Sequence, residues 1–265
     1  MLDIRSSLAV FLAIADTAVV AAPVFGDGVA EVRACVEAAA PRESATTRVA
    51  VDTFIEGEAA QSLTLSLQAL RDADGRGRVL LRVEAPPDLA GYAVLARERD
   101  DGDPEVHTYL PTLRSVRRMS GSALSGALFG TDLTYEDLLE LLAFTREGHV
   151  ARAPDIELEG RPAYVLIAQP GGAGESAYAE IRTEIDRATC VLRRATFSTR
   201  QGVIAKTLEV PWDAVRHDGP WAIPALVVAT NPRKHTETRL RTLEVHVDPG
   251  LRESEFSVTG LARGR

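Results

Sequence analysis

Cysteine is nearly missing from this 265-residue chain, which has only Cys35 and Cys190. An exported protein can pair two such thiols. Cys35 falls on a predicted helix, however, and Cys190 near a strand start, and nothing in the sequence brings them together. Two separate buried thiols are therefore expected. No cysteine follows the N-terminal apolar stretch at a lipidation position. Long apolar runs are also missing, so there is no candidate for a membrane-spanning helix. The formal charge is −8. With no basic arm and no interleaving of basic and aromatic residues, nucleic acid is not an expected partner.

Catalytic motifs are equally scarce. There is no Gly-x-Ser-x-Gly elbow, no His-Glu-x-x-His and no phosphate-cradling glycine loop ending in Lys-Ser/Thr. His107, His149, His217, His235 and His246 are scattered. No enzyme activity, cofactor or metal is expected.

Residues 1–22 read as a secretory signal. Arg5 supplies positive charge, offset by Asp3. Leu8 to Ala15 is a short apolar core, and either Ala13-Ile14-Ala15 or Val20-Ala21-Ala22 precedes cleavage. Asp16 interrupts the stretch, and the alternatives are a mis-assigned start or a cytoplasmic extension. Residues 23–265 have the length of one domain, without repeats or a linker.

Helical spacing of Val29, Val32, Val36 and Ala39 predicts a helix from Val29 to Ala40, stopped by Pro41. Strand patterns follow. In Ser62–Leu70 the residues Leu63, Leu65, Leu67 and Ala69 share one face, and Ser62, Thr64, Ser66 and Gln68 the other. Val79, Leu81 and Val83 alternate in the same way after a turn at Asp72–Gly77. With Arg48–Phe54, Tyr92–Arg97 and Val106–Leu110 these make five strands at roughly ten-residue spacing, an antiparallel meander. After a helix from Tyr135 to about Phe144, strands resume at Ala163–Ala168, Tyr178–Ile185, Val191–Thr199 and Val203–Val210. The last hairpin is Ala225–Thr230 with Thr238–Val247, and Phe256–Leu261 is a short tail.

The run from Tyr109 to Leu138 is the most specific feature. Tyr109-Leu110-Pro111 ends a strand, because proline lacks a ladder donor. Arg114, Arg117 and Arg118 follow as a cationic cluster. It is either a solvated basic loop or a contact for an anionic head group or acidic partner. Ser120–Gly130 is rich in Gly and Ser around Leu128 and Phe129. It is either a mobile lid or a loop pinned to the core by those two residues. Thr134 with Asp137 forms a variant capping box, and Glu136 and Asp137 suit the positive helix end.

Tyr-Leu-Pro, the following arginines and Gly130-Thr131-Asp132-Leu133-Thr134-Tyr135-Glu136-Asp137 together resemble the signature of the periplasmic outer-membrane lipoprotein-sorting proteins, the LolA-like family. Ile185-Asp186, Leu192-Arg193, Trp221-x-x-Pro224 and Phe256 with Leu261 also fit its pattern. Ala127-Leu128 and His217-Asp218-Gly219-Pro220 depart from it. The resemblance implies an α+β fold, a strongly curved antiparallel sheet of about ten strands forming an unclosed barrel with helices over its concave face. It also implies a soluble periplasmic monomer that buries acyl chains of a lipoprotein or lipid. An inner-membrane transporter would load it and an outer-membrane acceptor would unload it. An acyl chain of ~15 methylenes would gain roughly 12 kcal/mol on burial, before ordering costs. The residues expected to line the cavity are Leu63, Leu65, Leu67, Val79, Leu81 and Val83, which would otherwise fill a dry core. Those expected in the lid or in head-group and partner contact are Arg114, Arg117, Arg118, Leu128 and Phe129. Two other roles remain open: a non-carrying accessory protein docked on a lipid exporter, and a lipid-ester hydrolase needing a Ser–His pair in space.

Overall fold

The computed structural model describes residues 24–25, 28–41, 43–99, 101, 104–143, 150–170 and 176–263. The signal segment 1–22, the loop 171–175 and Phe144 lie outside the described residues. The strands of the first half are β1 (Val24–Phe25), β2 (Ser44–Ile55), β3 (Glu58–Arg71), β4 (Gly77–Ala85), β5 (Ala93–Glu98), β6 (Pro104–Leu110) and β7 (Ser115–Met119). Those of the second half are β8 (Val150–Leu158), β9 (Arg161–Ala168), β10 (Glu180–Asp186), β11 (Leu192–Ser198), β12 (Ile204–Glu209), β13 (Val215–Asp218), β14 (Trp221–Pro224), β15 (Leu226–Asn231) and β16 (Thr236–Val247). The helices are α1 (Val29–Ala39), α2 (Tyr135–Ala143) and α3 (Val258–Arg263).

Among the described residues, fourteen strands form one antiparallel sheet in the order β1-β8-β9-β10-β11-β12-β15-β16-β2-β3-β4-β5-β6-β7, and β13 pairs β14 separately. The two halves of the chain join where β16 pairs β2, from Thr236↔Ile55 to Val247↔Ala45. β1 and β7 stay unpaired to each other, so the barrel is open. The sheet is larger than the expected ten strands. β8 escapes the sequence pattern because its alternation breaks at a register shift between Ala153 and Ile156, around Pro154. β7 occupies what reads as a basic loop, and the short tail holds a third helix.

Curvature follows from what α2 touches. Leu138 packs with Val94, Ala96 and Val106 on β5 and β6, while the adjacent Asp137 pairs with Lys206 on β12. β12 and β5 are six places apart in the sheet order, or about 29 Å in a flat sheet at ~4.8 Å per strand. One helix reaches both because the sheet curls around it.

The concave face carries three apolar clusters. Tyr164, Leu166, Ile181, Ala195 and Phe197 pack under α1. Val79, Leu81, Val94 and Val106 pack under Leu128 and Leu138. Val49, Val51, Leu63, Leu65 and Val83 lie between, against Phe129. A buried polar belt of Thr53, Thr238, Lys206 and Thr183 crosses the same face. On the convex face, fully buried Phe256 and Leu261 fix the C-terminal turn and α3 against Leu80, Ala93 and Leu95.

Candidate functional site

The residues expected to line a cavity split between two packed clusters. Leu63, Leu65 and Val83 are buried with Val49 and Val51, and Val79 and Leu81 are buried with Leu128 and Leu138. Leu67 is half-buried beside the second group. Phe129 touches both clusters. Over β2–β6 the segment Gly121–Leu139 therefore fills the concavity with its own side chains.

An apolar cavity of about 220 Å³ lies instead over β8–β12. Its floor includes Leu166, Ile181, Ile185, Ala195, Phe197 and Leu208, with Thr183 as a polar member. Val36 of α1 closes one side, and Asp137 and Glu140 of α2 reach it from the other. Two helices thus share a roof over one half of the sheet.

α1 is held by a covalent bond. Cys35 and Cys190 form a disulfide with Cα atoms 5.4 Å apart, correcting the expectation of two separate thiols. The pairing is local in space though 155 residues apart in sequence. Asp186 accepts hydrogen bonds from the Ala188 and Thr189 amides, folding the β10–β11 turn, and the Cys190 amide donates to the Asp186 carbonyl at 2.8 Å. This turn presents Cys190, in the left-handed region at φ 58°, to α1. The Tyr164 hydroxyl adds a 2.9 Å bond to Glu31 on the same helix.

α2 is held by the polar residues of the signature. Gly130 turns the chain at φ 77°, where a Cβ would also stand 3.0 Å from Gln61 Oε1. Asp132 accepts from the hydroxyls of Thr236 and Thr238, and its amide donates to Thr238 Oγ1 at 3.0 Å. The capping box forms: the Thr134 amide donates to Asp137 Oδ2 at 2.7 Å and the Asp137 amide to Thr134 Oγ1 at 3.3 Å. Asp137 also takes the Tyr178 hydroxyl at 3.1 Å and pairs with the Lys206 ammonium, which donates to the Asp132 carbonyl as well. Lys206 Nζ lies 4.8 Å from the Phe197 ring centroid and 5.2 Å from that of Tyr178. Burial pulls Lys206 down from the ordinary lysine value, and the Asp137 carboxylate opposes it. Buried Glu136 accepts from the Ser176 hydroxyl and the Ala177 amide; burial pushes its carboxyl up against those bonds. The signature is therefore a latch that fastens α2 to β12 and β16.

Lys206, Tyr178 and Thr238 have no site role in the sequence expectations. One signal was present: Lys206 occupies an inward position of the strand Ile204–Glu209, two residues from inward Leu208. A lysine on a buried face demands an acid.

The three arginines do not converge. β7 is the sheet edge, where Met119 belongs to the concave cluster and Val116 to the convex one. By alternation Arg117 shares the face of Met119 and Arg118 that of Val116. Arg118 approaches Glu105 at 3.8 Å, and Arg114 sits exposed in a left-handed turn at φ 48°. Among the described residues no group of three or more His, Cys, Asp or Glu is arranged to hold a metal ion.

This open curled sheet with helices over its concave face is a fold shared with solved lipoprotein-sorting and LolA-superfamily structures. An outer membrane lipoprotein-sorting protein domain from Vibrio parahaemolyticus superposes with a TM-score of 0.77 at 22% identity, covering 89% of this chain and 97% of that one. A DUF1329 family protein from Desulfovibrio piger gives 0.77 at 18% identity, covering 88% and 97%. A LolA superfamily protein from Nitrosomonas europaea gives 0.63 at 14%, covering 86% and 97%. A family model described as "Uncharacterized protein" matches residues 75–263, and the chain belongs to that family. No curated protein matches the sequence.

Proposed function

We propose that residues 23–265 are one carrier domain. It binds an acyl chain of a lipid or lipoprotein without covalent chemistry and moves it through the periplasm, from an inner-membrane transporter to an outer-membrane acceptor. The observation that carries this reading is the apolar cavity between α1 and α2. Its 220 Å³ equals roughly seven water-sized groups of ~30 Å³. Burying a like number of methylenes gives about 6 kcal/mol at ~0.8 each. That is part of an acyl chain, and the volume is below the ~300–1,000 Å³ of most ligand pockets. A whole chain needs a roof helix to lift, and the α2 latch is the non-covalent one of the two attachments. The disulfide supports an oxidising compartment. No helix among the described residues is long and apolar enough to cross a membrane.

The test is cavity filling. Ala195 is buried and faces the cavity. Ala195→Phe is expected to reduce uptake of a fluorescent fatty acid at least tenfold, with an unchanged circular dichroism spectrum. Equal uptake by parent and variant would overturn the reading.

One observation favours the rival, a non-carrying accessory protein docked on a lipid exporter: Leu128, Phe129 and Leu138 already fill half of the concave face. That protein would take up no acyl probe at all.

A further inference from the structure

The antiparallel registers place five turns at one rim of the sheet. The β2–β3 turn lies beside the β15–β16 turn, since Ile55 pairs with both Glu58 and Thr236 and Asn231 pairs with Thr236. The β11–β12 turn joins them, because Ser198 pairs with Ile204 and Thr207 with Thr230. The β4–β5 and β6–β7 turns complete the rim, through Thr64↔Ala85 and Ala93↔Tyr109.

Exposed large apolar side chains concentrate there. Ile55 is 50% exposed, Leu113 56%, Val203 44% and Ile204 43%; the fifth such residue among the described ones, Leu243, sits at the bulge of β16. Isolated apolar side chains at a surface need no explanation, but four of five on one rim do. Cations accompany them. The turns 199–203 and 232–235 contribute Arg200, Arg233 and Lys234, all exposed, and contain no acid. The acids at this rim among the described residues include Glu56, Glu58 and Asp88 on and beside the other turns, Asp132, which accepts from Thr236, and Glu237, which pairs with Arg239 at 2.6 Å. The β12–β15 register brings the Ile204 end of β12 beside the 232–235 turn, and the Glu56 amide donates to the His235 carbonyl at 2.8 Å, holding Ile55 close by.

Aliphatic side chains at the strand ends and turns of one rim, with guanidinium and ammonium groups on the same or adjacent turns, match the boundary of an anionic bilayer. The methyl groups leave water for the acyl region while the cations meet lipid phosphates. We propose that this rim, built from Ile55, Val203 and Ile204 with Arg200, Arg233 and Lys234, docks the protein on the surface of a bilayer containing anionic phospholipid. The latch reaches the same rim, since Asp132 bonds Thr236 at the start of β16. The proposal concerns surface binding and does not depend on what fills the cavity.

The experiment is flotation of the purified protein with phosphatidylcholine vesicles, with and without phosphatidylglycerol. The parent is expected to float with the anionic vesicles alone and to be released at ~1 M salt, where screening acts within about 3 Å. Arg200→Gln/Arg233→Gln/Lys234→Gln should lower partitioning roughly 100-fold, from about 1 kcal/mol per cation. Val203→Ser/Ile204→Ser should also lose flotation while keeping the parent's melting temperature, since both side chains are exposed. Cargo uptake, read with the fluorescent fatty acid, should be unchanged in both, so that failure of docking and failure of carriage are distinguishable. No flotation of the parent with anionic vesicles, or flotation indifferent to both sets of substitutions, would overturn the proposal. So would loss of capture by a detergent-solubilised membrane protein in the rim variants when the parent ignores lipid, which would assign the rim to a protein partner.

Discussion

Replacing Lys206 with Met keeps the aliphatic stem against Phe197 and deletes the charge that Asp137 faces. Removing one partner of a buried ion pair typically costs ~3–5 kcal/mol, because the other charge stays buried. Asp137 keeps the Tyr178 hydroxyl at 3.1 Å and the Thr134 amide at 2.7 Å. The Asp132 carbonyl loses its Lys206 donor. The surviving donors place Lys206→Met at the lower end, about 3 kcal/mol. Asp137→Asn alone strands the Lys206 ammonium and weakens the helix cap, for a further ~1 kcal/mol. With both charges gone, Lys206→Met/Asp137→Asn should be less destabilised than the sum of the singles by at least ~2 kcal/mol. Urea unfolding followed by circular dichroism measures all four proteins, with midpoints compared at constant slope. The refuting result is a Lys206→Met variant within ~0.5 kcal/mol of the parent, or strict additivity in the double variant. Either would mean that α2 is held by Leu138 and its apolar neighbours, and that the signature's acids are not a latch.

Two further outcomes follow from the same geometry. The disulfide closes a loop spanning 155 residues, for which chain entropy gives about 5 kcal/mol. Cys35→Ser/Cys190→Ser should lower the urea midpoint accordingly, and the parent in reductant should match it; a midpoint unchanged by reductant would contradict the bond's role. Burial would push the Asp72 carboxyl up, but hydrogen bonds from Arg78, the Arg76 amide and the Arg76 side chain prevail and hold it at about 2, against an ordinary 3.8. A depressed carboxylate stabilises the folded state above its unfolded pKa. That contribution is lost as pH falls from 3.8 toward 2. Asp72→Asn should therefore flatten the stability profile in that window, and an identical acid profile in the variant would refute the assignment.

The sheet was legible where a strand is half-buried. Leu63, Leu65 and Leu67 alternate with polar residues because only one face of β3 meets the core, and period two survives in the sequence. β8 was not legible, because Pro154 and a register shift break its alternation. The signature was legible as a family mark, and its capping box as local chemistry. Its purpose was not, because Asp137 meets Lys206 across 69 positions and Asp132 meets Thr238 across 106. The same holds for Cys35 and Cys190. The alternating pattern is clearest in β3 and β4, yet the chain's own Leu128, Phe129 and Leu138 pack over that half. The space left open lies over β8–β12, between Val36 of α1 and Asp137 and Glu140 of α2.

The most direct test of carriage is native mass spectrometry of the protein purified from its own cell envelope, with organic extraction of whatever is bound. The account predicts a discrete added mass that yields acyl chains on extraction and is absent from Ala195→Phe. A protein that arrives without added mass and takes up no fatty-acyl probe, in parent and variant alike, would contradict it.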